Sequence, residues 1–197
     1  MTANLAPMQT AFDHEQIQRE QALKNARLGL LLWRFANGMA FVFFIFANLL
    51  MRNVQPSWPP PGVERLPIGL PLAITLVILL SGMTASQLLK AVRANQFGQA
   101  LRAGAATLAL GAVFFAGLLA AGAQVTHSGP YSSIVWAMQF FHGLHVIVAS
   151  LLLGVVLIGV WRRRYSVEKH WGVEASVIFW HFVDAMWIVF FLFIYVL

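Results

Sequence analysis

Between Leu28 and Leu197 the chain consists of five apolar blocks, each about twenty residues or longer, and this feature restricts the fold more than any other. An α-helix needs roughly 20 apolar residues to cross a hydrocarbon core of about 30 Å. The blocks fall at about 28–51, 68–89, 101–124, 134–161 and 173–197. They predict an all-α fold: a polytopic transmembrane helix bundle of five spans, in which each helix satisfies its own backbone. Only 10% of residues are charged and the mean hydropathy is +0.73, whereas a soluble domain of this size carries about a quarter charged residues.

The joints agree with this division. Residues 1–27 are polar, carry both signs of charge and contain "DHEQIQREQALKNAR", which reads as a surface or amphipathic helix leading into the membrane. No apolar core follows a basic start there, so no cleavable signal is expected. "RNVQPSWPPPGVERLP" holds five prolines in 16 residues and forbids a regular helix after the first span. "THSGPYSS" and "RRRYSVEKHWG" bound the fourth span.

The net charge of +6 is topological information. Ten Lys and Arg fall in the N-terminal segment and in the second and fourth joints: Arg19, Lys24, Arg27, Lys90, Arg93, Arg102, Arg162, Arg163, Arg164 and Lys169. The opposite side receives Arg52 and Arg65. That bias predicts an N-terminus inside and a C-terminus outside, as an odd number of spans requires. Basic residues at the ends of apolar blocks, with no run interleaved with exposed aromatics, argue against a nucleic-acid partner. The absence of cysteine excludes disulfides, thiolate zinc sites and iron–sulfur clusters in this chain.

Ionisable and polar side chains inside spans are costly, so they are the informative ones. "QFFHGLHV" places His142 and His145 on one face of the fourth helix, readable as a ligand pair, a proton relay, or two neutral imidazoles bonded to neighbouring helices. "HWGVEASVIFWHFVDAMW" adds His170, Glu174, His181 and Asp184. Together these could form a carboxylate–histidine metal cluster, but the Glu-x-x-His pattern of bundle diiron proteins is not present on two helices. The favoured reading is a polar network of His142, His145, Glu174, His181 and Asp184 joining the fourth and fifth helices. Arg34 and Asn37 in the first span, with Trp33, Trp58 and His170, are candidates for lipid or subunit contact. Trp33, Trp58, Trp136, Trp161 and Trp171 lie at span ends as an interfacial belt, while Trp180 and Trp187 are expected to pack against protein. No nucleophile with an adjacent base and no phosphate-cradling loop is found.

"WPPPG" (Trp58–Gly62), "LLSGMTAS" (Leu79–Ser86), "FHGLHV" (Phe141–Val146) and "GVEASVIFWHFVDAMWIVFFLFIY" (Gly172–Tyr195) follow one another in a familiar order. With these motifs the chain resembles subunit III of the haem–copper oxidases, in its short five-helix bacterial form. The resemblance covers about residues 28–197, and the Trp-His-Phe-Val-Asp core is its most specific part. It implies that His181 and Asp184 belong to a packing network and that this chain binds no haem, copper or other metal. Haem and copper are then expected in partner subunits I and II, with a small subunit IV, membrane lipids and bound phospholipid as further partners. The implied role is packing beside subunit I and supporting proton uptake in aerobic electron transport, in a bacterial cytoplasmic membrane. Two departures stand out: Asn37 occupies the position where the family commonly has glutamate, and Leu118 and Ala121 replace a Gln and a Glu. An accessory subunit of a quinol oxidase or nitric oxide reductase, a stand-alone metal-dependent membrane enzyme and a small transporter are the alternatives.

Overall fold

The structure is a computed structural model that describes residues 6–125 and 129–197, with side chains described from residue 14 onward. The first five residues of the polar N-terminal segment, and 126–128 of the expected third joint, lie outside the described residues. Five α-helices follow in order: α1 (Ala6–Val54), α2 (Gly69–Arg93), α3 (Phe97–Gly122), α4 (Gly129–Trp161) and α5 (Trp171–Phe191). A single π-helical turn, Leu192–Val196, extends α5. Each helix contains a run long and apolar enough to cross a membrane, and no strand occurs among the described residues.

The helices begin and end where local chemistry allows, often beyond the apolar blocks. From His14 to Leu28 the chain has no Gly or Pro and is rich in Glu, Gln, Ala, Lys and Arg. These are good helix formers, so α1 runs without a break through the expected start of the first span. α4 starts at Gly129, before the expected position, because Pro130 sits in its first turn, where no backbone N–H is needed. α2 continues to Arg93, its last turn carrying Lys90 and Arg93 against the negative end of the helix dipole.

α2 and α4 end alike. Asn95 adopts φ 59°, Gln96 N–H bonds Ala91 C=O at 2.8 Å and Asn95 N–H bonds Val92 C=O at 3.0 Å. At the end of α4, Arg163 adopts φ 55°, with Arg164 N–H on Gly159 C=O and Arg163 N–H on Val160 C=O. Both are Schellman closures with a non-glycine residue in the left-handed position. At Arg163 the guanidinium lies 4.3 Å over the Phe97 ring, an attraction that offsets part of the backbone cost.

The chain divides within α1 into two units, 1–37 and 38–197. In the first, Glu15 and Arg19 pair one turn apart, and the Asn37 amide donates to Trp33 C=O at 2.8 Å. The second is an up-and-down bundle in which α5 is the most buried of the membrane-length helices. At one end Arg93 reaches the start of α5. At the other, Trp58 packs edge-on to Tyr131 and Arg65 donates to Leu197 C=O at 3.2 Å. α3 comes close because it is short of side chains: a Cβ on Gly111 would lie 2.7 Å from the Trp180 ring.

Candidate functional site

α2 and α5 are joined by a ladder of polar contacts. Trp187 Nε1–H donates to Thr75 Oγ1 at 2.8 Å, and Trp180 Nε1–H donates to Ser81 Oγ at 2.9 Å. Each hydroxyl passes its own proton to a carbonyl of α2, Thr75 to Pro71 and Ser81 to Ile78, both at 2.7 Å. This leaves a lone pair for the indole, so both buried groups are satisfied at once. Farther along, Ser86 Oγ and His181 Nε2 are 2.9 Å apart.

Asp184 lies behind that pair and is 6% exposed. Its Oδ2 is 3.7 Å from His181 Nδ1, beyond hydrogen-bond length. Its buried Oδ1 has no hydrogen-bond partner among the described residues. The carboxyl fits only because position 82 has no side chain: a Cβ there would lie 2.5 Å from Oδ2 and 3.4 Å from the His181 ring. α3 contributes through Thr107, whose hydroxyl is 2.8 Å from that of Thr84.

The expected histidines of the fourth helix are not in this ladder. His142 is fully buried in an aromatic box, with ring centroids at 5.2 Å from Trp187, 5.7 Å from Phe114 and 6.2 Å from Phe41. Neither ring nitrogen has a hydrogen-bond partner among the described residues. His145 turns back to its own helix, Nδ1 lying 2.8 Å from Phe141 C=O, and packs on Phe41. The reason is rotational. Six residues at about 100° each place His181 roughly 240° round α5 from Trp187, the residue that touches His142. Trp187 faces both helices, its ring toward His142 and its indole N–H toward Thr75 of α2, while His181 lies on the α2 side with Ser86. A polar link from α4 does exist, but through Gln139, whose amide donates to Tyr195 OH at 2.5 Å.

Glu174 and His170 form a third, separate group near the start of α5. Arg93 Nη2 is 3.3 Å from Glu174 Oε2, and Arg93 Nε–H donates to His170 Nε2 at 3.2 Å. His170, expected at a lipid or subunit contact, is thus engaged within the chain. The Arg93 side chain is 49% exposed, so solvent screens this pair. Arg93→Gln is expected to cost at most about 1 kcal/mol, and a double-mutant cycle with Glu174→Gln in thermal melts checks it.

Among the described residues, no three His, Cys, Asp or Glu side chains converge as metal ligands would. The hydroxyls of Thr75, Ser81 and Ser86, and the Gln139–Tyr195 pair, were not singled out from sequence. Single hydroxyls inside apolar helices are inconspicuous; their spacing within "TLVILLSGMTAS" was the available signal. Between α3 and α4 lies a cavity of about 300 Å³, lined by Phe115, Leu119, Trp136, Gln139, Phe140 and Ile147 among others.

Fold and site define a multi-pass membrane polypeptide in which buried Thr75, Ser81, Thr107 and Gln139 bond one helix to another. A family model described as Cytochrome c oxidase subunit III matches residues 12–197. Cytochrome c oxidase subunit 3 of Synechocystis sp. is 33% identical over 179 residues, covering 86% of this chain and 74% of that protein. The corresponding protein of Thermostichus vulcanus is 32% identical over 178 residues, 86% of each chain, and that of Lumbricus terrestris 33% over 181 residues, 86% and 69%. The chain belongs to the cytochrome c oxidase subunit III family, whose members are subunits of haem–copper oxidases.

Proposed function

We propose that the chain is the non-catalytic third subunit of a respiratory terminal oxidase in a bacterial cytoplasmic membrane, packed beside subunit I. Subunit II and a small subunit IV complete the assembly, and haem and copper reside in the partners. The observation that carries this reading is the α2–α5 ladder: Trp180 and Trp187 each spend their polar atom on a helix contact. The Ser86–His181 pair does the same. Such bonds give a scaffold its register and leave the redox chemistry to other chains. The basic residues clustered at one end of the bundle support an N-terminus inside.

The α3–α4 cavity supports a lipid role, because its apolar walls and the stacked Trp136 and Phe140 rings, 5.2 Å apart, suit an acyl chain. Trp33, Arg34 and Asn37 on α1 are proposed as further lipid or subunit contacts, and stable proton uptake by the assembly as the outcome of this packing. Affinity isolation of the chain from membranes tests the proposal. The expected result is co-purification of haem-bearing polypeptides with an oxidase spectrum; a chain that purifies alone, or with its own metal, overturns it. Asn37→Glu is expected to leave assembly intact, since the family accepts an acid at that position; loss of the subunit from the purified complex would refute that placement.

A further inference from the structure

The outward surfaces of α4 and of the α2–α5 pair differ in one respect. From Phe140 to Ile158 the exposed side chains of α4, Leu144, Leu151 and Val155 among them, are all apolar. Acyl chains cover such a surface without loss. The α2–α5 face begins the same way, with Leu79 43% and Met83 62% exposed. One turn on, it presents the hydrogen-bonded Ser86 and His181, with the imidazole side chain 44% exposed at the middle of α5. Asp184 lies directly behind, with one buried carboxyl oxygen unpartnered among the described residues.

Hydrocarbon offers no hydrogen-bonding group at that depth, and ionisable side chains within spans face protein or a watery cavity. On the side away from Lys90 the flanking residues Leu79, Met83 and Ala185 are apolar, so the covering surface is a helix carrying one matched polar group. We propose that the α2–α5 face, from Leu79 past Ser86 and His181 to Ala185, is where a transmembrane helix of another polypeptide of the oxidase assembly docks. That helix places a hydrogen-bonding group opposite His181. The proposal rests on the reading of this chain as an oxidase subunit. A second copy of the chain is a poorer occupant, because members of this family are subunits of a larger oxidase that offers other membrane helices to this face.

The test uses the intact complex. A photoreactive benzoylphenylalanine is placed at Met83 or Ala185, and for comparison at Leu151 or Val155. The expected result is a covalent adduct with a different polypeptide from the first two positions and lipid adducts from the last two. His181→Leu, which suits a lipid-covered face, is expected to lower recovery of the haem-bearing partner about tenfold, while the variant chain itself stays inserted and folded. Lipid adducts only at Met83 and Ala185, a dimer of this chain, or unchanged partner recovery in His181→Leu would overturn the proposal. Failure of the wider reading is told apart by the unmodified chain, which would then bring down no haem-bearing polypeptide; the docking face falls with it.

Discussion

Trp187→Ala is expected to destabilise the bundle by about 3–5 kcal/mol, the largest loss from any single truncation in this chain. Trp187 is fully buried. Its ring lies 5.0 Å from Phe114 of α3 and 5.2 Å from His142 of α4, and its indole N–H donates to Thr75 of α2. One side chain of α5 thus ties three other helices together. Within a membrane the loss comes from dispersion contacts and the cavity left behind, since lipid tails remove the usual hydrophobic driving force. The Thr75 hydroxyl also loses its donor. Trp187→Phe separates the two contributions: the ring contacts largely persist and only the N–H is lost, so a cost of about 1 kcal/mol is expected. Thermal melts of the purified chain in detergent, with subunit occupancy in the complex, measure both. A Trp187→Ala variant no less stable than Trp187→Phe would show that the ring packing is not what holds α5.

Gly82→Val is the second large effect, expected to cost about 3 kcal/mol through overpacking. A Cβ at position 82 would lie 2.5 Å from Asp184 Oδ2 and 3.4 Å from the His181 ring, and the Asp184 carboxyl, in a residue only 6% exposed, has little room to retreat. Separation of α2 from α5 would stretch the neighbouring bonds from Trp180 to Ser81 and from Trp187 to Thr75. Two comparisons make the cause testable. At Gly154 on α4 nothing lies within 4 Å of an added Cβ, so Gly154→Ala is expected to be neutral or slightly stabilising. Combining Gly82→Ala with Asp184→Ala removes the clashing carboxyl, and the pair is expected to recover about 0.5–3 kcal/mol relative to the sum of the singles. Strict additivity in that cycle would mean that the carboxyl is not what Gly82 accommodates.

The contrast with Arg93→Gln follows from where the charge sits. Arg93 and Glu174 make the best-formed ion pair between α2 and α5, yet solvent reaches the Arg93 side chain. The neutral Trp180–Ser81 and Trp187–Thr75 contacts lie where no solvent competes. In this bundle the charged contact is the minor one.

Much of this was legible beforehand. The sequence reads as a polar network joining the fourth and fifth helices, with Trp180 and Trp187 against protein; both indoles are buried. The hydrogen-bonding partner of the α5 indoles and of His181 is α2, not α4. His142 and His145 drew attention to α4 because imidazoles are rare in spans, whereas Thr75, Ser81 and Ser86, which accept or share the polar atoms of α5, are ordinary residues in apolar helices. The empty place at Gly82 was also invisible, since a glycine in a span reads equally as close packing, as tolerance or as nothing.

The sequence by itself determined the number of helices long and apolar enough to cross a membrane, their approximate limits and the membership in the family. Partition of an apolar stretch and satisfaction of its backbone are local properties, settled within each segment whatever its neighbours do. Which faces meet was decided only in the tertiary structure. Rotation of a helix about its own axis costs little until side chains interlock. The choice of α2 over α4 as the polar partner of α5 therefore came from the shapes of two glycines, two indoles and three hydroxyls fitting together.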